Sequence, residues 1–383
     1  MMLWGTWDEV VGRMGFLYNV LGIYFLLRLW IRDREDVQRV LRTLAMACVL
    51  FAAFMIFEQE TGRNVFSVFG GVPEFTAVRE GKLRSQAAFA TAIVAGTLGA
   101  NLLPLFIGLW WQGGKSKLIA GIGAVSALLM LISSHSATPV GTCIVAIGAL
   151  CLWRFRHNLK MFRWGLVACL VALQLVMKAP VWALIARFDV VNGNSGYHRY
   201  ELINQAILHF GEWFFVGTKS TASWGDYMDD VADAYVTVAK EGGLLGLVFF
   251  IGIFWQCFRR LGLARQASER AGDRKLELQV WSFGAALMAT VIAYFGIYYF
   301  DQSQMVWWCL LAMISAITSV ALGGAPEAIK DVEPIRPWAL RTVPVASPAG
   351  WQAPLAGSSS RMGPASVSVD KAPLSGAYRH PQR

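Results

Sequence analysis

The chain has 383 residues, of which 56% are hydrophobic and only 15% charged, whereas a soluble chain carries roughly a quarter charged residues. The apolar residues fall in blocks without polar stripes at helical spacing, which excludes a soluble globular domain. A formal net charge of +9 raises nucleic acid as a partner, but the basic residues are spread over alternate loops, and no nucleic-acid partner is expected.

Crossing a hydrocarbon layer roughly 30 Å thick takes about 20 helical residues. Blocks of that kind lie near 14–31, 43–57, 88–111, 118–133, 138–154, 163–185, 236–257, 279–300 and 305–323. The expected fold class is therefore all-α, a polytopic membrane bundle of about nine helices with one large outer loop. Basic residues sit after the first block (Arg32, Arg34, Arg39, Arg42), after the third (Lys115, Lys117), after the fifth (Arg154, Arg156, Lys160, Arg163) and after the seventh (Arg259, Arg260, Arg265, Arg270, Arg274, Lys275). The positive-inside rule puts those four loops in the cytoplasm. The connections 58–87, Ser133–Ala137, 186–235 and Asp301–Gln304 then lie outside. The N-terminus, which has no cleavable leader pattern, also falls outside, an arrangement that suits a chain lacking the upstream helices of a longer relative.

Three polar regions interrupt the blocks. Glu58–Ser85 is turn-rich and carries Arg63, Arg79, Lys82 and Arg84. Within 186–235, "RYELINQAILHF" places Leu202, Ile203, Ala206, Ile207 and Phe210 at helical spacing. This predicts an amphipathic helix that lies on the membrane surface or caps the bundle. The segment 324–383 is rich in Pro, Ser, Ala and Gly and reads as a disordered cytoplasmic extension of the 1–323 bundle. All six cysteines sit in apolar segments without metal-ligand spacing, so neither a disulfide nor a zinc site is expected.

Among the outer residues, Arg84 precedes a membrane block and Arg199 opens the amphipathic stretch. A guanidinium near hydrocarbon is costly unless paired, and its planar fork matches phosphate oxygens. Headgroup anchoring, or pairing with Glu80, Glu201 or Asp189, is the plainer alternative. Asp229, Asp230 and Asp233 form a DDxxD string whose end carboxylates share a helical face and can hold Mg²⁺ against a diphosphate. One carboxylate acting as a general base asks for less, and the reading taken is metal-independent, with no cofactor. The five histidines fit surface or packing roles.

The order of these parts resembles the O-antigen ligase and polymerase superfamily of polysaccharide-assembly membrane proteins. The parts read "GKLRSQAAFA", "SSHSATP", "GYHRYELINQAI", "WFFVGTKS" and "ADAYVTVAKEGGLLG", between Arg63 and Phe258, about half of the chain. The resemblance implies a multi-pass protein of the bacterial inner membrane with a periplasmic large loop. It implies transfer of an oligosaccharide from a polyprenyl diphosphate carrier to a saccharide acceptor, beside membrane lipid and other polysaccharide-assembly proteins. By it, Arg84 and Arg199 hold the diphosphate, helped by Arg79, Lys82 or Arg187. Tyr235, Glu241 and Gly243 fall on the family run "HNxYLxxxxExG". The family histidine falls on Ala232 and the asparagine on Asp233, so a histidine-based ligase mechanism does not carry over. Asp233 or Asp230 is the expected substitute. A transporter of polysaccharide or lipid, or a non-catalytic scaffold of a synthesis complex, is the alternative function; a transporter would call for polar residues or repeats inside the blocks, and the blocks carry very few ionisable residues and no visible repeat.

Overall fold

The structure is a computed structural model that describes residues 7–114, 116–184, 195–225, 228, 231–299 and 303–323. Among these residues, eight helices are long and apolar enough to cross a membrane. The protein is thus an all-α, multi-pass bundle. The Pro- and Ser-rich segment 324–383 lies outside the described residues.

Local chemistry sets the helix ends. α1 spans Trp7–Trp30, and α2 (Arg34–Thr61) begins where the Asp33 side chain accepts from the Asp36 N–H and stops at Gly62 in the left-handed region. α3 (Ala92–Gln112) is capped by Thr91, and α4 covers Ser116–Ser133. α5 (Ala137–Cys151) and α6 (Leu159–Val176) are joined by a 3₁₀ segment, Leu152–Asn158, with a non-helical break at Phe155. The large loop contains α7 (Ser195–Leu208). α8 (Ala234–Arg270), α9 (Arg274–Ala293) and α10 (Ser303–Ala321) complete the chain.

The nine expected blocks and the eight apolar helices differ at one place. Residues 137–176 form one apolar stretch of 40 residues, about 60 Å of helix and twice the hydrocarbon thickness. Its middle and its far end are tied to opposite ends of the bundle. Arg156 pairs with Glu277 at the start of α9. Beyond α6, Val181–Ala183 packs against α7, whose Arg199 bonds Thr138 at the start of α5. The stretch therefore folds back at the 3₁₀ segment. α6 stops at Val176, short of the expected 185, because the chain turns extended at Met177 ahead of Pro180. No residue of α6 is buried.

α3 is the central helix, packed on α4, α5 and α9. Its glycines let neighbouring backbones close in: Gly96 faces Ser134 and Pro139, Gly99 faces the Ala127 carbonyl, and Gly108 faces Ser282. Small residues at such contacts let helices gain dispersion energy inside a membrane, where there is no hydrophobic drive between them.

Residues flanking the four basic loops meet at one end of the bundle. Arg34 bonds Asp273 at 2.9 Å, Gln112 at 2.7 Å and Gln279 at 3.2 Å. Arg156 and Arg265 converge on the buried carboxylate of Glu277, and Arg265 also reaches Glu269. The predicted candidate residues that the structure describes lie at the opposite end.

Candidate functional site

The floor of that end is set by Glu58, in the last turn of α2. Its carboxylate is 1% exposed and accepts from the Gln86 and Ala87 backbone N–H groups and from the Thr76 hydroxyl. This folds the 62–91 loop back over the bundle. Inside the loop, β1 (Val78–Arg79) and β2 (Lys82–Leu83) form a small antiparallel hairpin. Its two-residue turn, Glu80–Gly81, has positive φ at both positions, the tight turn that suits strand twist. The hairpin pairs Arg79 with Lys82 in register and delivers Arg84 just beyond β2.

Arg84 leans onto the link between α4 and α5. One Nη donates to the Ser136 hydroxyl at 3.1 Å, while the buried Nε has no hydrogen-bond partner among the described residues. Burial, and after it the charge of Arg79, lower the pKa of this guanidinium. Arg199 arrives at the same link from the large loop and donates to the Thr138 hydroxyl at 2.8 Å. The two predicted arginines are thus bonded to hydroxyls two residues apart in one short segment.

Asp233 stands behind Arg199. It caps α8, with Oδ1 accepting from the Tyr235 and Val236 N–H groups at 2.7 and 3.0 Å. The residue is completely buried, and Oδ2 has no hydrogen-bond partner among the described residues. Burial pushes the carboxyl up from 3.8 to about 7, against the two capping N–H groups and the charge of Arg199. Desolvation therefore outweighs hydrogen bonding and the neighbouring cation.

Of the other predicted residues, Arg79 lies near Arg84 on the hairpin, whereas Tyr235 and Glu241 are held on α8. Tyr235 donates its hydroxyl to the Val291 carbonyl at 2.9 Å and packs its ring at a tilt against Phe295, which ties α8 to α9. Glu241 is exposed, and its charge acts, after burial, to raise the Tyr298 phenol. Lys82 is exposed and Arg79 half-buried on the hairpin. Arg187, Asp229 and Asp230 lie outside the described residues.

α7 is helical as predicted and caps the bundle. Leu202 and Ala206 bury one face against Trp213, Trp224, Val236 and Ala239, while Ile207 and Phe210 stay exposed. The segment after it, 213–218, meets α8 at a break in its helix. Gly243 has φ +65, and Leu244 donates to the Phe214 carbonyl at 2.9 Å, as Thr218 donates to the Lys240 carbonyl at 2.8 Å. The "WFFVGTKS" and "KEGG" stretches are therefore one hydrogen-bonded unit.

Sequence reasoning missed Glu58, Ser136, Thr138 and Gly296 as site-building residues. A Cβ on Gly296 would stand 3.0 Å from Arg199 Nε and 3.0 Å from Thr138 Cγ2. These roles depend on partners up to 158 positions away, and the one local signal was the Ser- and Thr-rich link itself. Compared with the known protein families and with curated proteins, the chain matches none.

Proposed function

We propose that the protein is a membrane glycosyltransferase of polysaccharide assembly. It transfers an oligosaccharide from a polyprenyl diphosphate carrier to a saccharide acceptor at the non-basic, periplasmic end of the bundle in a bacterial inner membrane. The observation that carries this reading is the bonding of Arg84 and Arg199 to the Ser136 and Thr138 hydroxyls, two residues apart where α5 begins, with the buried Asp233 carboxyl within reach of the Arg199 charge.

The chemistry follows from those groups. An acceptor hydroxyl attacks the anomeric carbon, a new C–O bond forms, and the bond to the diphosphate oxygen breaks with its electron pair leaving on the lipid diphosphate. Two guanidinium forks stabilise that departing charge, which grows toward the transition state, so the interaction speeds the step as well as binding the donor. The acceptor proton goes to Asp233 Oδ2, whose pKa near 7 suits a base at neutral pH. The step asks the acceptor hydroxyl to reach Asp233 Oδ2, which is covered in this structure. No metal is invoked.

The test is Arg199→Lys and Arg84→Lys in cells that make the polysaccharide. Lys keeps the charge and loses the fork, so glycan assembly should fall by about 100-fold, the scale of losing one oxyanion donor, with protein levels unchanged. Normal glycan production in both variants would sink the diphosphate site. Activity abolished by chelators alone would move the donor site to Asp229–Asp233.

A further inference from the structure

We infer that Ser136, Thr138 and Gly296 are positioning residues that fix the spacing and reach of the two guanidinium groups, so that both bear on one diphosphate. The inference rests on the glycosyl-transfer reading and goes beyond it by assigning residues that touch no substrate.

Covalent geometry sets the spacing of the two hydroxyls. Cα atoms two residues apart are separated by at most about 7 Å, so hydroxyls at 136 and 138 define a fixed, short baseline. Ser136 is extended and Thr138 lies in the first turn of α5. That helix is clamped from behind by Gly96 of α3, which has no room for a side chain against Ser134 and Pro139. The baseline is therefore held by the central helix and does not drift with the loops. Arg84 reaches it from the hairpin and Arg199 from α7, elements separated by more than a hundred residues, and each uses one Nη for the anchoring bond. The fork edge of Arg84 that carries Nε keeps a buried N–H without a partner, a group whose desolvation is costly until an acceptor arrives.

Gly296 adds a steric constraint. Between α9 and α10 the chain at 294–299 is not helical, and Tyr294 O accepts the Ala234 N–H beside the Asp233 cap. Gly296 in this stretch lies against both members of the Arg199–Thr138 bond. A methyl group there meets Arg199 Nε and Thr138 Cγ2 at 3.0 Å each, tighter than ordinary van der Waals contact, so Gly296→Ala pushes the donor and the acceptor apart together. The neighbours then give by a few tenths of an ångström, which moves the guanidinium off the position that charge stabilisation needs.

The test uses the full chain in detergent or nanodiscs, with farnesyl diphosphate as the probe. Thr138→Val, which keeps the shape and removes the acceptor, should weaken binding about fivefold, the scale of one hydrogen bond, and Thr138→Ser should restore it. Ser136→Ala should act like Thr138→Val, and Gly296→Ala should weaken binding by a similar factor, about fivefold. Thr318→Val, whose hydroxyl bonds within α10, should leave binding unchanged. A merely structural threonine would lower the melting temperature without the Ser rescue of affinity. If Arg84→Lys and Arg199→Lys weaken binding while the Thr138, Ser136 and Gly296 variants bind as wild type, the positioning inference is overturned and the function stands. If both Lys variants also bind as wild type, the functional reading itself has failed.

Discussion

The Glu58 carboxylate and the Ala87 backbone N–H, 29 residues apart, are joined by a 2.8 Å hydrogen bond with no exposure to solvent. Together with Gln86 and Thr76 this makes three donors on one buried acid, and it fixes the loop that delivers Arg84. Replacing Glu58 by Leu leaves those donors buried and unmet, at roughly 1–3 kcal/mol each. Glu58→Leu should therefore lower stability by about 3 kcal/mol or more, read by thermal unfolding of the purified protein. A melting temperature within a degree of wild type would show that the latch is not formed.

The break in α8 makes a second, sharper prediction. Gly243 occupies φ +65, and a Cβ there would stand 2.8 Å from the Phe215 carbonyl oxygen. Gly243→Ala should cost about 1–3 kcal/mol through backbone strain and loosen the 213–218 segment as well. Limited proteolysis near Lys219 should then quicken, whereas Gly242→Ala, where a Cβ meets open space, should behave as wild type.

Asp233 links pH to both stability and activity. Its carboxyl binds a proton more tightly in the folded protein, at about 7, than at its ordinary value of 3.8. The stabilising effect is full below about pH 4 and is lost as pH rises to about 7, an amount on the order of a few kcal/mol. Asp233→Asn keeps a side-chain oxygen to cap α8 and should flatten that slope in unfolding measurements made from pH 4 to 8. As the base, Asp233 must be ionised, so the transfer rate should rise through about pH 7 and level off above it. A pH-independent rate across that range would remove Asp233 from the chemistry.

Topology can be read directly. Reporter fusions after Arg163 and after Arg274 should score as cytoplasmic, and fusions near Ser195 and Thr221 as periplasmic. The Arg163 result also tests the turn between α5 and α6. A cytoplasmic signal from the large loop would end the glycosyl-transfer reading, because the two arginines would then face the wrong compartment.

The bundle was largely legible in the sequence because membrane crossing is a local, one-dimensional requirement: a run of apolar residues and a basic flank identify each span. The edges were less legible where caps decide them. The block expected at 279–300 ends as a helix at Ala293, since Tyr294–Tyr299 leaves the helix to pack on α8 and α3. Arg84, Arg199 and Asp233 were found as candidates, through motif order and through the unusual charges beside membrane blocks. Glu58 was read as the first residue of a polar loop, because nothing within a few positions of it shows that Thr76, Gln86 and Ala87 will fold over it. Tyr235 and Glu241, singled out from the same run as Asp233, are placed on α8 facing α9 and Tyr298, since helical turns carry neighbours in a sequence to different faces.

α3 and α6 set opposite conditions on sequence change. In α3 most residues are buried and three glycines sit where any larger side chain would collide, so drift there requires matching changes in α4, α5 or α9. α6 has no buried residue and is held through the segments at its two ends, where the Gln174 side chain accepts the Val181 N–H, so its apolar side chains need only remain apolar. Over evolutionary time the α6 stretch should therefore accumulate Leu, Val, Ile and Phe exchanges freely while α3 stays nearly fixed, and a comparison guided by α3 would find distant kin that one averaged over all spans would lose.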